Sequence, residues 1–117
     1  MSCLAQAHSM HVVINMAEVL WCETAMDLYC PQDGRYHFNT DVVFGDDGSI
    51  LARYRKSHLA GTYPTINQPA APSPQFFDTN FGVRFGVLVC ADMQYRYPAF
   101  QYWSLGVRDL VHTSTWV

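Results

Sequence analysis

The segment VRFGVLVC, from Val83 to Cys90, restricts this chain more than any other feature, because it is almost wholly apolar and stops at a cysteine. It is too short for a core helix and lacks the alternation of a half-solvated strand, so it reads as a strand covered on both faces. PAFQYWSLG follows, with Pro98 at a plausible first helical position and a predicted end around Gly106. LVHTSTWV, to Val117, then reads as the next buried strand. Strand, turn, helix and strand make a βαβ unit, which calls for parallel pairing with a right-handed crossover and puts the chain in the α/β class.

Upstream, HVVINMAEV reads as a strand, and WCETAMDLYCP as a polar loop leading to Asp33 and Gly34. YHFNTDVVFG and ILARYRK flank DDGS, whose Asp and Gly supply the conformations of a tight hairpin. FFDTNFG predicts a short strand and a turn. Between Ser57 and Pro74 the prolines at 64, 69, 72 and 74 deny the chain both helix and central strand, so a long irregular loop is expected. Loops of that length in compact domains usually serve function. MSCLAQAH reads as the last turns of an amphipathic helix, with Cys3 as a small core hydrophobe. Both ends read as cut, so residues 1–117 are expected to form one partial domain. The 50% hydrophobic content is enough for a packed core.

Charge and cysteine spacing exclude several classes. A formal charge of -3 with Lys56 as the sole lysine leaves no electrostatic footprint for nucleic acid. No apolar run approaches the ~20 residues of a membrane-spanning helix, and the N-terminus lacks the pattern of a signal peptide. A small-molecule or protein partner fits better. Cys3, Cys22, Cys30 and Cys90 form no CxxC pair, so neither a metal site nor a cofactor is expected. Cys22 and Cys30 bracket a loop short enough for a disulfide in an oxidising compartment, with two independent thiols as the alternative.

Cys90 stands where open α/β sheets place their ligands, at the carboxyl end of a buried strand before a turn into a helix. A thiolate there can attack an acyl carbon while the backbone N–H of Ala91 helps hold the oxyanion that forms. By strand position alone a structural thiol is the commoner outcome.

The surrounding text changes that balance. LVCADMQYRYPAF resembles the cysteine signature of the nitrilase superfamily of carbon-nitrogen hydrolases: a strand ending in Cys, any residue and Asp, with a Pro at the start of a helix a few positions on. DGRYHFNTDVVFGDDGSILARYRKSHL is similar to the lysine-bearing stretch of the vanin and biotinidase branch. The Cys22 and Cys30 pair before DGRY, and FFDTNFGVRFG before the cysteine, extend the likeness over nearly the whole chain.

The resemblance implies an αββα sandwich, a mixed β-sheet fold with flanking helices, carrying a Glu-Lys-Cys triad. It implies hydrolysis of a small vitamin-derived amide, such as pantetheine or a biotin amide, through a thioester acyl-enzyme. Cys90 would be the nucleophile, Lys56 the cation stabilising the tetrahedral intermediate and Ala91 the backbone oxyanion donor. The general-base glutamate lies upstream of the matched segment in the family. Glu18 and Glu23 read instead as solvated charges in or beside the cysteine loop, so this segment alone is expected to be inactive.

Many relatives carry a second glutamate soon after the lysine, but SHLAGTYPTINQP has no acid, and Tyr63 stands near that place. Asp92 matches the family's acidic position and reads as a structural anchor pairing with a group such as Arg96. His58 and His112 offer a Cys-His dyad, for which the sequence supplies no orienting third group. The family's habit of pairing through helices near the nucleophile makes residues 98–106 the candidate homo-oligomer surface. A parent of this branch would be extracellular or membrane-anchored. The competing interpretation is a truncated or degenerate homologue that keeps the sheet and lacks catalysis.

Overall fold

A computed structural model describes residues 1–61 and 65–115. Tyr63 and the last two positions of the expected terminal strand lie outside those residues. Helix α1 spans Ser2–His8, strand β1 Val12–Trp21, β2 Arg35–Phe44 and β3 Ile50–Arg55. Strand β4 covers Phe76–Asp78 and β5 Arg84–Val89. A short 3-10 turn, Cys90–Gln94, leads into helix α2, Arg96–Ser104, and β6 covers Asp109–Thr113.

The strands form two sheets, β1-β2-β3 and β4-β5-β6. The first is antiparallel throughout, since each connection is a direct reversal. At the β2–β3 turn, Gly48 sits at φ 82, a left-handed conformation open to glycine at little cost. The N–H of Ser49 is held by Asp47 Oδ1 at 2.8 Å, so the DDGS hairpin forms as the sequence predicts. The second sheet is mixed: β4 runs antiparallel to β5, and β6 parallel to it across the α2 crossover.

Alternation along the strands tells which face meets which. Val43, Ala52 and Tyr54 from the first sheet pack against Phe77, Val87 and Val89 from the second, with Val13 and Val111 closing the cluster. Leu88, between Val87 and Val89, points the other way and is covered by Tyr102 of α2 and by Val107. All three of these β5 residues are buried, the expected result for a strand covered on both sides. Tyr102 lies so close over Gly86 that a Cβ there would come within 2.7 Å of its ring. Its hydroxyl donates to the carbonyl of Val87 at 2.6 Å, tying helix to sheet.

Four expectations are corrected. Cys3 is exposed rather than in the core, because Ala5 is the residue that α1 buries. Glu18 is not a loop charge: β1 continues to Trp21 and places it on the outer sheet face, bonded to Arg55 at 2.6 and 2.9 Å and to Thr40 at 2.8 Å. Strand β6 ends at Thr113 and is half-exposed, since nothing among the described residues covers its far edge. The partner expected for Asp92 is also wrong. Arg96 stacks over Phe100 at 5.0 Å, and Asp92 turns inward.

Glu23 is exposed in the loop between β1 and β2, where Cys22 and Cys30 are joined by a disulfide. No helix among the described residues is long and apolar enough to cross a membrane.

Candidate active site

Strand β5 delivers Cys90 to the carboxyl ends of β5 and β6, where the sandwich opens. Cys90 itself adopts φ 49, a left-handed conformation that costs a non-glycine residue about 1–2 kcal/mol. Strain of that size persists where the surroundings over-determine it, and it turns the chain sharply out of the strand. The thiol is free and half-buried.

Lys56 follows directly on β3 and is only 6% exposed. Its N–H donates to the carbonyl of Asn39 at 2.8 Å, which continues the ladder one residue past the strand and aims the side chain along the inner face. Lys56 and Cys90, one from each sheet, line the same cavity of about 420 Å³. Leu59, Ala60 and Ile66 of the long loop form one wall, so that loop does contribute to the site. Asn15, Asn39, Thr113, Ser114 and Thr115 supply its polar lining.

Behind that lining lies a network that sequence reasoning missed. Asp41 is fully buried and accepts from Asn15 Nδ2 at 2.8 Å and from Thr113 Oγ1 at 2.9 Å, joining β1, β2 and β6 across the sandwich. Asn15 Nδ2 also donates to Asn39 Oδ1 at 2.7 Å. Burial pushes the Asp41 carboxyl above the usual range, with the bonds from Asn15 and Thr113 partly offsetting it. The available signal was the polar series Arg35, His37, Asn39 and Asp41 at alternate positions of β2, which puts the two inner-face residues Asn39 and Asp41 on the face that ends in the core residue Val43.

The second buried acid, Asp92, sits on the 3-10 turn just after Cys90. Its carboxylate accepts from the Tyr54 hydroxyl at 2.8 Å, the His58 N–H at 2.7 Å and the His58 ring at 3.1 Å. Longer bonds come from the N–H groups of Ser57 and Val89, each at 3.4 Å. His58 is therefore committed to Asp92 and to a face-to-face stack on Tyr95 at 3.9 Å. His112 meets the Cys90 carbonyl oxygen at 2.9 Å. Both histidines are near the elbow, yet their recorded bonds go to other groups than its sulfur. Ala91 is buried beside Cys90. Among the described residues, none that lines the cavity is an acid or a histidine.

Comparison with known proteins supplies the context. The carbon-nitrogen hydrolase family pattern matches residues 1–117. The chain is 43% identical over 99 residues to mouse (Mus musculus) pantetheinase, covering 85% of this chain and 19% of that protein. It is 37% identical over 120 residues to biotinidase of Takifugu rubripes, covering 100% of this chain and 23% of that one. Among solved structures, Saccharomyces cerevisiae Nit3, a member of branch 10 of the nitrilase superfamily, superposes with a TM-score of 0.74 at 24% identity, over 98% of this chain and 38% of that one. The chain thus spans about a fifth of its pantetheinase and biotinidase relatives. With pattern, relatives and fold in agreement along its length, it belongs to the carbon-nitrogen hydrolase family.

Proposed function

We propose that these residues form the nucleophile and lysine half of a thiol amidase that cleaves a small vitamin-derived amide, of the pantetheine or biotin-amide type. The observation that carries this reading is the meeting of Cys90, at a strained elbow, with the nearly buried Lys56 in one cavity. Cys90 attacks the amide carbon and the negative charge that develops on the carbonyl oxygen is met by Lys56 and the Ala91 N–H. Interactions of this kind accelerate the reaction because the charge exists only on the way to the transition state. Collapse expels the amine, which takes up a proton, and leaves a thioester that water then hydrolyses.

A general base must remove the thiol proton and later activate the water. Since neither acid nor imidazole lines the cavity among the described residues, we assign that role to a glutamate outside residues 1–117, and we take these residues as the central part of a longer catalytic domain. Small apolar side chains, Leu59, Ala60 and Ile66, suit an uncharged acyl chain. Kinship with pantetheinases and biotinidases supports an extracellular or membrane-anchored parent, as does the Cys22–Cys30 disulfide.

The test is amine release from pantetheine and from biotin amides by the full-length protein that carries this sequence. Cys90→Ala should reduce turnover to background, and Lys56→Ala should lower kcat by about 100-fold or more. Turnover that survives loss of the thiol would overturn the assignment. A wild-type protein inert towards every amide would favour the second reading, a non-catalytic homologue.

A further inference from the structure

Cys90 and Lys56 directly follow strands of different sheets, so something must set the distance between them. The apolar core holds the sheets face to face, but apolar contacts are non-directional and specify position loosely. Hydrogen bonds to one buried charge are directional, and shorter and stronger than those between neutral groups. Asp92, on the turn that carries Cys90, bonds to residues on both sides of Lys56 and to the end of β5 at Val89, and the Tyr54 hydroxyl links it to Ser57. We propose that Asp92 is a positioning residue that fixes Lys56 against Cys90 by gathering the end of β3 and the nucleophile elbow onto one buried carboxylate.

The bonds support this residue by residue. Tyr54 stands two residues before Lys56, and Ser57 and His58 directly after it; all three donate to Asp92. Because the Tyr54 hydroxyl gives its single proton to Asp92, the Ser57 hydroxyl donates in turn to Tyr54 at 3.0 Å, closing a ring around the lysine's backbone. On the other side, Asp92 reaches back to the N–H of Val89 at 3.4 Å, bracketing Cys90. His58 adds its ring, pinned by Tyr95 from the same turn. Asp92 has no exposed surface, so water cannot substitute for these donors. The role of Asp92 is thus to hold a cation in place, and it need not touch the substrate.

The inference rests on Cys90 and Lys56 acting together, and its test avoids amide turnover. The rate of Cys90 alkylation by iodoacetamide is followed against pH in the full-length protein, with the exposed Cys3 changed to Ser. Lys56→Ala removes the cation and should move the midpoint up by about 1 pH unit. If Asp92 acts by positioning, Asp92→Asn should also move it up, and Asp92→Asn in the Lys56→Ala background should give no further upward shift, only the small downward one that loss of a carboxylate charge produces.

Sign separates this from a direct field effect. Deleting a nearby carboxylate charge would by itself lower the midpoint, since a negative neighbour disfavours the thiolate. A downward shift or no shift from Asp92→Asn alone, or full additivity with Lys56→Ala, would overturn the proposal. Should Asp92→Asn fail to fold, Tyr54→Phe removes one donor without changing the ring and should give a smaller upward shift; an unmoved midpoint there would equally overturn it. An inert amidase with the predicted alkylation pattern would remove the proposed function and leave the positioning role standing.

Discussion

At the scale of single residues, the elbow turns on one dihedral angle. Cys90 holds φ 49, where a side chain is unwelcome. Replacing it by glycine should relieve the strain that alanine retains, so Cys90→Gly should be more stable to urea than Cys90→Ala by about 1 kcal/mol. Equal midpoints would mean that the elbow is not strained. The place of Cys90 at the end of β5 was legible because the local text, a buried strand ending in Cys and followed by Asp and Pro, is contiguous. The bonds of Asp92 were not. Its partners Tyr54, Ser57 and His58 lie more than thirty residues upstream, and sequence proximity favoured Arg96 instead. Cys3 was misplaced for a related reason: a seven-residue helix has too few turns for its pattern to reveal which residue faces inward.

At the scale of elements, the outer face of the first sheet is held by an acid with two bases. Arg55, bonded to Glu18 at 2.6 Å, draws that carboxyl below its ordinary range, with Thr40 and Arg53 helping and burial opposing. A depressed acid stabilises the fold above its ordinary value, near 4.5, and the contribution is lost as pH falls through the folded value. Glu18→Gln should therefore lower the unfolding free energy at neutral pH by about 1–2 kcal/mol, and the difference should vanish in strong acid. Thermal melts of both proteins across pH check it. A deficit that persists unchanged into acid would assign the loss to packing. Asp41 works in the opposite sense, because its raised carboxyl makes stability fall as pH rises through its range. The comparison must therefore be with the variant rather than with the wild-type acid response alone.

Most strands were readable from alternation and turn chemistry. The end of β1 was not, because WCETAMDLYCP reads as loop from Trp21 onward, and the arginines that hold Glu18 on the sheet come from β3. The reach of β6 was overestimated, since an apolar run cannot say where its hydrogen-bonded partner stops.

At the scale of the molecule, two sheets and one well-packed crossover helix leave much apolar surface uncovered. Trp21 is 73% exposed, Trp103 68% and Phe100 65%. Patches of that kind drive association, so residues 1–117 expressed alone should show concentration-dependent oligomers at micromolar levels in sedimentation velocity. A clean monomer would show that these side chains are tolerated in water. The sandwich arrangement was legible through the family resemblance rather than through periodicity, because which sheet faces which depends on contacts between segments far apart in the chain.

That separation also bears on the order in which the site is assembled. Lys56 arrives with the first sheet and Cys90 with the second, so a newly made chain whose sheets have not yet docked carries an ordinary cysteine. On the proposed function, that sulfur meets its lysine only once the tertiary structure has closed around it, and the reactivity of the thiol then reports on correct assembly.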